Sequence, residues 1–174
     1  MKELMDYIAQ RNAETQAWVD EDPKNRWGGM LIEDVSHWLD IGITTVEQFE
    51  REELITDISE LSKTASGSRL RTNFSEMSME ELKELAEYYG DQARLQLEQE
   101  AEEAQRAVEA HKSTVQEMID IGAKDETTAL RWLTMDCGFG HQQDVESYAW
   151  NWNILFTDYG KDLVNKLNAI HFGG

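Results

Sequence analysis

Residues 78–122 read SMEELKELAEYYGDQARLQLEQEAEEAQRAVEAHKSTVQEMIDIG, and this stretch decides the fold. It contains no proline, its one interior glycine is Gly90, and most of its residues are strong helix formers. Ser78 and Glu81 have the spacing of a capping box at its start, and Gly122 is a typical stop after a helix. The sequence therefore predicts one helix over about 79–121, roughly 64 Å long at about 1.5 Å per residue.

The segments on either side of this helix also carry apolar residues at helical spacing, and they contain almost no alternating strand pattern. We expect an all-α fold in which the long helix forms a helical hairpin or a coiled-coil arm. Leu31, Val35, Trp38 and Leu39 recur at helical spacing and predict a helix that ends at Gly42. The expected organisation is one domain with an extended arm, made of an N-terminal helical region (1–75), the long acidic helix (76–122) and a C-terminal helical region (123–174).

The charge balance restricts the class of partner. The chain has 16 Lys and Arg residues against 35 Asp and Glu residues, which gives a net charge of −19. A charge of this size and sign repels nucleic acids and anionic membranes. We therefore expect no direct binding to nucleic acid or membrane, and a basic protein or nucleoprotein complex as the partner. The alternative is that the acidity serves solubility alone.

The acidic residues of the long helix are the candidate partner-binding surface. Carboxylates arranged along a helix can take the places that phosphates occupy in a basic groove of a nucleic-acid-binding protein. The candidate residues are Glu84, Glu87, Asp91, Glu98, Glu100, Glu102, Glu103 and Glu109.

A thin apolar stripe along the second half of the helix is a candidate oligomer seam. Its steps alternate between four and three residues, which is the spacing of a coiled coil. We expect it to meet another helix, most economically that of a second copy in a homodimer; the alternative is a largely solvated helix. The seam residues are Leu97, Ala101, Ala104, Val108 and Val115, with His111 at the same spacing.

Two groups of side chains have the composition of metal ligands. Glu33 and His37 are four residues apart, and His141, Asp144 and Glu146 lie close together in sequence. Imidazoles and carboxylates bind zinc, iron and manganese. However, the Glu-x-x-His pairs of a di-iron helical bundle are absent. We therefore predict no metal, no other cofactor and no enzymatic activity, and keep a metal-dependent enzyme as the weaker alternative.

Cys137 is the only cysteine, so no disulfide forms within the chain. Cys137 and His141 are close in sequence, but their spacing matches no nucleophilic mechanism, and we expect a free thiol. The N-terminus lacks the apolar run of a signal peptide and no apolar stretch of 18 residues occurs. We expect a cytoplasmic protein.

The segment from Trp150 to Phe156 is dense in aromatic residues. It can pack into the core of the C-terminal helices, which is the interpretation we favour, or it can form an exposed docking patch.

A resemblance to a known group rests on two stretches. The first has Arg69-x-Arg71 ahead of Ser78-Met79-Glu80-Glu81-Leu82 and the Glu- and Ala-rich helix. The second is Gly122-Ala123-x-Asp125-x-x-Thr128-Ala129-Leu130-Arg131-Trp132-Leu133. In these stretches, over about residues 45–135, the chain resembles small acidic helical proteins of bacteriophages whose function is unassigned.

The resemblance implies a phage-encoded protein and carries no activity with it. Together with the charge, it leads us to expect an acidic inhibitor of a host nucleic-acid-binding or defence protein, such as CRISPR, restriction or transcription machinery, acting by nucleic-acid mimicry. The alternative is a structural or assembly protein that dimerises through the long helix.

Overall fold

The computed structural model describes residues 1–173, and within them the chain contains seven α-helices and no strand. The predicted all-α fold is therefore confirmed. The helices are α1 (Lys2–Glu21), α2 (Val35–Asp40), α3 (Val46–Ser66), α4 (Met79–Asp120), α5 (Glu126–Leu133), α6 (Gln142–Asn151) and α7 (Asp158–Phe172), with a 3-10 turn at Phe74–Glu76.

Helix α4 is the predicted long helix, and it is continuous over 42 residues. The backbone N–H of Glu81 donates to Ser78 Oγ at 3.2 Å, and the backbone N–H of Ser78 donates to Glu81 Oε2 at 2.7 Å. These two bonds form the expected capping box. The pKa of the Glu81 carboxyl is lowered because the carboxylate accepts hydrogen bonds from the amide and from the hydroxyl of Ser78. At the other end, Gly122 takes a positive φ of 125° just after the helix.

The chain forms two compact units, Met1–Leu95 and Gln96–Gly174, and the boundary lies inside α4. The organisation expected from the sequence, one domain with an extended arm, stays a prediction. Each unit buries residues of the long helix. Leu82 and Ala93 are buried in the first unit, and His111 and Val115 are buried in the second.

The core of the first unit joins α1, α2 and the start of α3. Trp38 packs edge-to-face against Phe49, with ring centroids 5.4 Å apart, and its indole N–H donates to the carbonyl of Ile32 at 2.7 Å. The ring packs against an aromatic neighbour and its N–H has a hydrogen-bond acceptor, which allows this large side chain to be buried. The buried members of this core are Leu4, Ile8, Trp38, Ile43 and Phe49.

The helix predicted from Leu31 begins only at Val35. The side chain of Asn12 holds Leu31 in non-helical backbone, because its Oδ1 accepts from the Leu31 amide at 2.7 Å and its Nδ2 donates to the Leu31 carbonyl at 2.9 Å. Asp34 then caps α2 by accepting from the amide of Ser36. The apolar residues do recur at helical spacing, but the hydrogen bonds of Asn12 and Asp34 determine where α2 begins.

The second unit packs α5, α6 and α7 against the C-terminal part of α4. Its buried members come from all four helices and from the connections between them. They are Val115, Ala123, Ala129, Leu130, Val145, Ala149, Ile154, Leu163 and Leu167.

Three helix ends in the chain share one geometry. Gly42, Gly122 and Asn153 each follow a helix with positive φ, and the next residue is buried and donates its amide to the carbonyl five positions back. This is the Schellman arrangement, which satisfies free carbonyls and turns the chain back onto the core. The three bonds are Ile43 to Trp38 at 2.9 Å, Ala123 to Met118 at 2.9 Å and Ile154 to Ala149 at 3.0 Å.

The third of these turns leaves no room for a side chain at Gly160. A Cβ at this position would lie 1.8 Å from the carbonyl oxygen of Ile154, whereas a Cβ at Gly90 of α4 would meet nothing within 4 Å. We predict that Gly160→Ala lowers the free energy of unfolding by about 2 kcal/mol or more, because backbone must move. We predict that Gly90→Ala raises it by about 0.5–1 kcal/mol, because alanine is the better helix former.

Urea unfolding followed by far-UV circular dichroism measures both changes. A Gly160→Ala protein as stable as the unmodified chain would contradict this packing.

Candidate functional site

The eight acidic residues predicted as a binding surface are all exposed on α4. At about 100° per residue, Glu84, Glu87 and Asp91 of the first unit lie within an arc of about 60°. In the second unit, Glu98, Glu102 and Glu109 lie within an arc of about 40°, roughly opposite the buried side of the helix. Glu100 and Glu103 fall outside these arcs, so the predicted set does not form one face.

The charge is most concentrated in residues 96–105, which we call the acidic segment. It contains four carboxylates, Glu98, Glu100, Glu102 and Glu103, and no basic residue. At about 1.5 Å per residue this is one charge per roughly 4 Å of helix. One strand of DNA carries one charge per about 3.4 Å and the duplex one per about 1.7 Å. The acidic segment therefore approaches the charge density of a single strand.

Elsewhere on α4 the acidic residues are partly balanced by cations. Asp91 accepts from Arg94 at 3.0 Å, and Glu109 pairs with Lys112 at 3.1 Å. Such exposed pairs contribute little to stability, but they reduce the local charge. The acidic segment is thus the part of the helix with the strongest net field.

Some residues of the predicted oligomer seam are buried in the second unit and others are exposed. Val115 is buried in the core of its own unit and Val108 packs against that core, so neither is free to meet a second copy. Leu97 is 55% exposed and Ala101 is exposed, while Ala104 is half-buried. The apolar surface left for another helix is therefore small. The reason is that α5–α7 fold back onto the C-terminal part of the same stripe.

The aromatic segment is also divided, and neither of its two interpretations holds for all of it. Ile154 is fully buried and Trp152 packs against the core, whereas Trp150 is 59% exposed and Phe156 is 79% exposed. The two exposed rings contact each other edge-to-face, with centroids 5.8 Å apart. We call residues 150–157 the aromatic corner.

The aromatic corner and the acidic segment meet at a groove within the second unit. The groove has a volume of about 380 Å³, and more of its lining is apolar than polar. Glu100 and Ala104 line it from α4, and Trp150, Leu155 and Phe156 line it from the corner. Sequence reasoning placed the carboxylates and the aromatic residues in separate candidate surfaces, and the fold brings one carboxylate next to the aromatic rings.

The backbone of the aromatic corner is held by several contacts. Thr157 Oγ1 donates to the carbonyl of Ile154 at 2.7 Å and accepts from the amide of Gly160 at 2.9 Å. Asn153 takes the left-handed conformation, with φ of 57°, that asparagine tolerates better than most residues. Phe156 is therefore held by a fixed turn, and Trp150 by the last turn of α6.

His111 is fully buried in the second unit, where the sequence pattern showed only a seam position. Its Nδ1 lies 2.8 Å from the hydroxyl of Tyr159, and its Nε2 lies 3.2 Å from the hydroxyl of Tyr148. Burial lowers the pKa of His111 to about 4 and raises the pKa of Tyr159 to about 12. The ring is therefore neutral at neutral pH, so one of its nitrogens donates and the other accepts.

Two of the candidate metal ligands, Glu33 and Asp144, are engaged in other contacts. Glu33 Oε1 accepts from Asn12 Nδ2 at 2.8 Å. Asp144 Oδ2 accepts from the amides of Gly140 and His141 at 2.7 and 2.8 Å, which caps α6 and lowers the pKa of Asp144. Across residues 1–173, no three His, Cys, Asp or Glu side chains are grouped so that they could hold a metal ion.

Cys137 is exposed. Partial burial and the neighbouring charge of Asp136 raise the pKa of its thiol. An activated nucleophile requires the opposite shift.

Comparison of the chain with protein-family models, with curated proteins and with solved structures finds no match. In the part of the chain that the structure describes, no helix combines the length and the apolar character needed to cross a membrane.

The environment of His111 predicts a pH dependence of stability. Its pKa is about 4 in the folded protein and about 6.5 in an unfolded chain, so the unfolded state binds more protons. The contribution of neutral His111 to the free energy of unfolding is complete above pH 6.5 and is lost as pH falls from 6.5 towards 4. We expect this group alone to lower the free energy of unfolding by about 2 kcal/mol between pH 7 and pH 5.

Urea unfolding at the two pH values, compared with His111→Gln, isolates this effect because glutamine does not titrate. The variant should lose this part of the pH dependence, although it is less stable at pH 7. Equal pH dependence in both proteins would show that His111 is not buried in its neutral form.

Proposed function

We propose that this protein is a phage-encoded acidic inhibitor that binds a basic surface of a host nucleic-acid-binding or defence protein, in the host cytoplasm. CRISPR, restriction and transcription machinery are the candidate classes. The observation that carries the proposal is the acidic segment, whose four carboxylates are exposed on a helix without a basic residue among them.

The proposed mechanism is competition with nucleic acid for the same basic groove. A basic groove that binds phosphates attracts negative charge, and it responds to the spacing of that charge rather than to its chemical source. The acidic segment supplies roughly the charge density of one DNA strand over about 15 Å. It therefore suits a groove that accommodates a single strand or one edge of a duplex.

A fixed helix adds an advantage over a flexible acidic tail. The side chains of a helix are already in place, so less conformational entropy is lost when the partner binds. Recognition through charge should also be fast and should weaken as salt is added.

A second candidate function is assembly through the long helix, and exposed Leu97 and Ala101 favour it. Two copies joined there would bring their acidic segments close together, and like charges at short range oppose association. Recognition of a basic protein accounts for the charge and the exposed surface together.

Reversal of the four carboxylates tests the proposal. We predict that the variant with Glu98, Glu100, Glu102 and Glu103 all changed to Lys no longer retains the partner captured from a host lysate, while its helix content is unchanged. Affinity capture with mass spectrometry, before and after infection, identifies the partner. Added salt and added DNA should each release the partner from the unmodified protein.

The matched control reverses Glu3, Asp6, Glu14 and Asp20 of α1, which are also exposed and change the net charge by the same amount. The control should keep the partner. Equal loss in both variants would mean that total charge, and not the acidic segment, determines binding. Retention in both would remove the acidic segment from the function.

A further inference from the structure

The groove beside the acidic segment combines two properties that rarely occur together on a solvated surface. Trp150 and Phe156 are large apolar side chains that remain mostly in water. Trp150 lies in the last turn of α6, and Phe156 lies on the turn that the bond from Thr157 to Ile154 holds in place. Glu100 lines the same groove, with further carboxylates before and after it on α4. Exposed aromatic residues on a rigid support are typical of the anchoring points of protein interfaces.

We propose that this groove binds one apolar side chain of the partner, from a helical or extended segment in which Lys or Arg residues flank a Leu-, Ile-, Met- or Phe-like residue. The inference rests on the proposed function and names the segment that the acidic surface recognises. The apolar residue enters between Trp150, Phe156 and Ala104, and a flanking cation faces Glu100, the carboxylate that lines the groove.

Charge complementarity identifies this occupant. An uncharged apolar segment would gain nothing from Glu100, and an acidic segment would be repelled by it and by the net charge of the chain. A purely basic segment would leave the two rings in water. A segment with both properties buries the rings and pairs with the carboxylates at the same time.

Charge repulsion disfavours a second copy of this chain as the occupant. Each copy carries a net charge of −19, and the groove of each lies against its own acidic segment. Reciprocal docking of two grooves would place the two sets of carboxylates near each other. Repulsion at that distance would offset the burial of the rings.

Two synthetic peptides of equal charge test the proposal. Both are short, fluorescein-labelled helices with Lys and Arg at each end; one has a central Leu and the other has Ser at that position. We expect fluorescence polarisation to show that the full-length protein binds the Leu peptide at least about tenfold more tightly than the Ser peptide. Trp150→Ala and Phe156→Ser should each reduce the affinity for the Leu peptide to that for the Ser peptide.

Trp27→Ala is the matched control. Trp27 is 85% exposed in the first unit and Trp150 is 59% exposed, so the loss of Trp27 removes a more accessible indole that does not line the groove. This variant should bind both peptides as the unmodified protein does. Circular dichroism verifies the fold of every variant, and Phe156, which is the more exposed of the two rings, provides a substitution with little structural cost.

The outcomes separate this inference from the function on which it rests. Equal affinity for both peptides, unchanged by Trp150→Ala but abolished by reversal of the four carboxylates, would overturn the groove proposal and leave the acidic recognition standing. Binding of the Leu peptide that depends on Trp150 but responds neither to salt nor to charge reversal would overturn the requirement for a basic segment. Concentration-dependent dimerisation that Trp150→Ala abolishes would assign the groove to a second copy instead.

Discussion

The rest of the structure depends on the burial of one side of α4 in two separate cores. Leu82 and Ala93 are enclosed in the first unit, and His111 and Val115 are enclosed in the second. Between them, residues 97–103 are exposed on all sides. Helix α4 is thus stabilised by packing near its two ends, and its middle depends on residues with high helix propensity. The absence of packing leaves this section of the helix fully accessible.

Because this section of the helix is accessible, its carboxylates are available to a partner. A carboxylate that packs against a core is constrained by its neighbours, whereas Glu98, Glu102 and Glu103 are exposed to water. Glu100 is also exposed, and it lines the groove of the aromatic corner. Repulsion among Glu98, Glu100, Glu102 and Glu103 opposes the helix slightly. That cost is small beside the packing of α4 in the two cores. The proposed recognition of a cationic partner accounts for like charges in a section of the helix where packing requires none.

Local signals in the sequence predicted the helices well. The capping box predicted from Ser78 and Glu81 is present at the start of α4. Thr45 and Asp125 cap α3 and α5 through the same local chemistry. The predicted start of α2 was wrong because Asn12, 19 residues away along the chain, forms a hydrogen bond with the backbone of Leu31. No periodicity within the segment could indicate such a contact.

The candidate site was less predictable for the same reason. Eight acidic residues were expected on the surface, and all of them are exposed, because charged side chains on a helix rarely bury. The groove was not foreseen, since it depends on the return of the aromatic corner to Glu100 and Ala104. His111 belonged to an apolar spacing pattern that we expected to meet another helix, most economically that of a second copy, and the fold buries it within its own unit. Its bonds to Tyr148 and Tyr159 come from other helices and are set only by the tertiary fold.

Hydrogen exchange of the captured complex, followed by mass spectrometry, tests the central claim most directly. The account predicts that the partner slows exchange of backbone amides in the acidic segment and in residues 150–157, and leaves α1–α3 as they are in the free protein. Slower exchange confined to α1–α3, with the acidic segment exchanging at its free rate, would contradict the account.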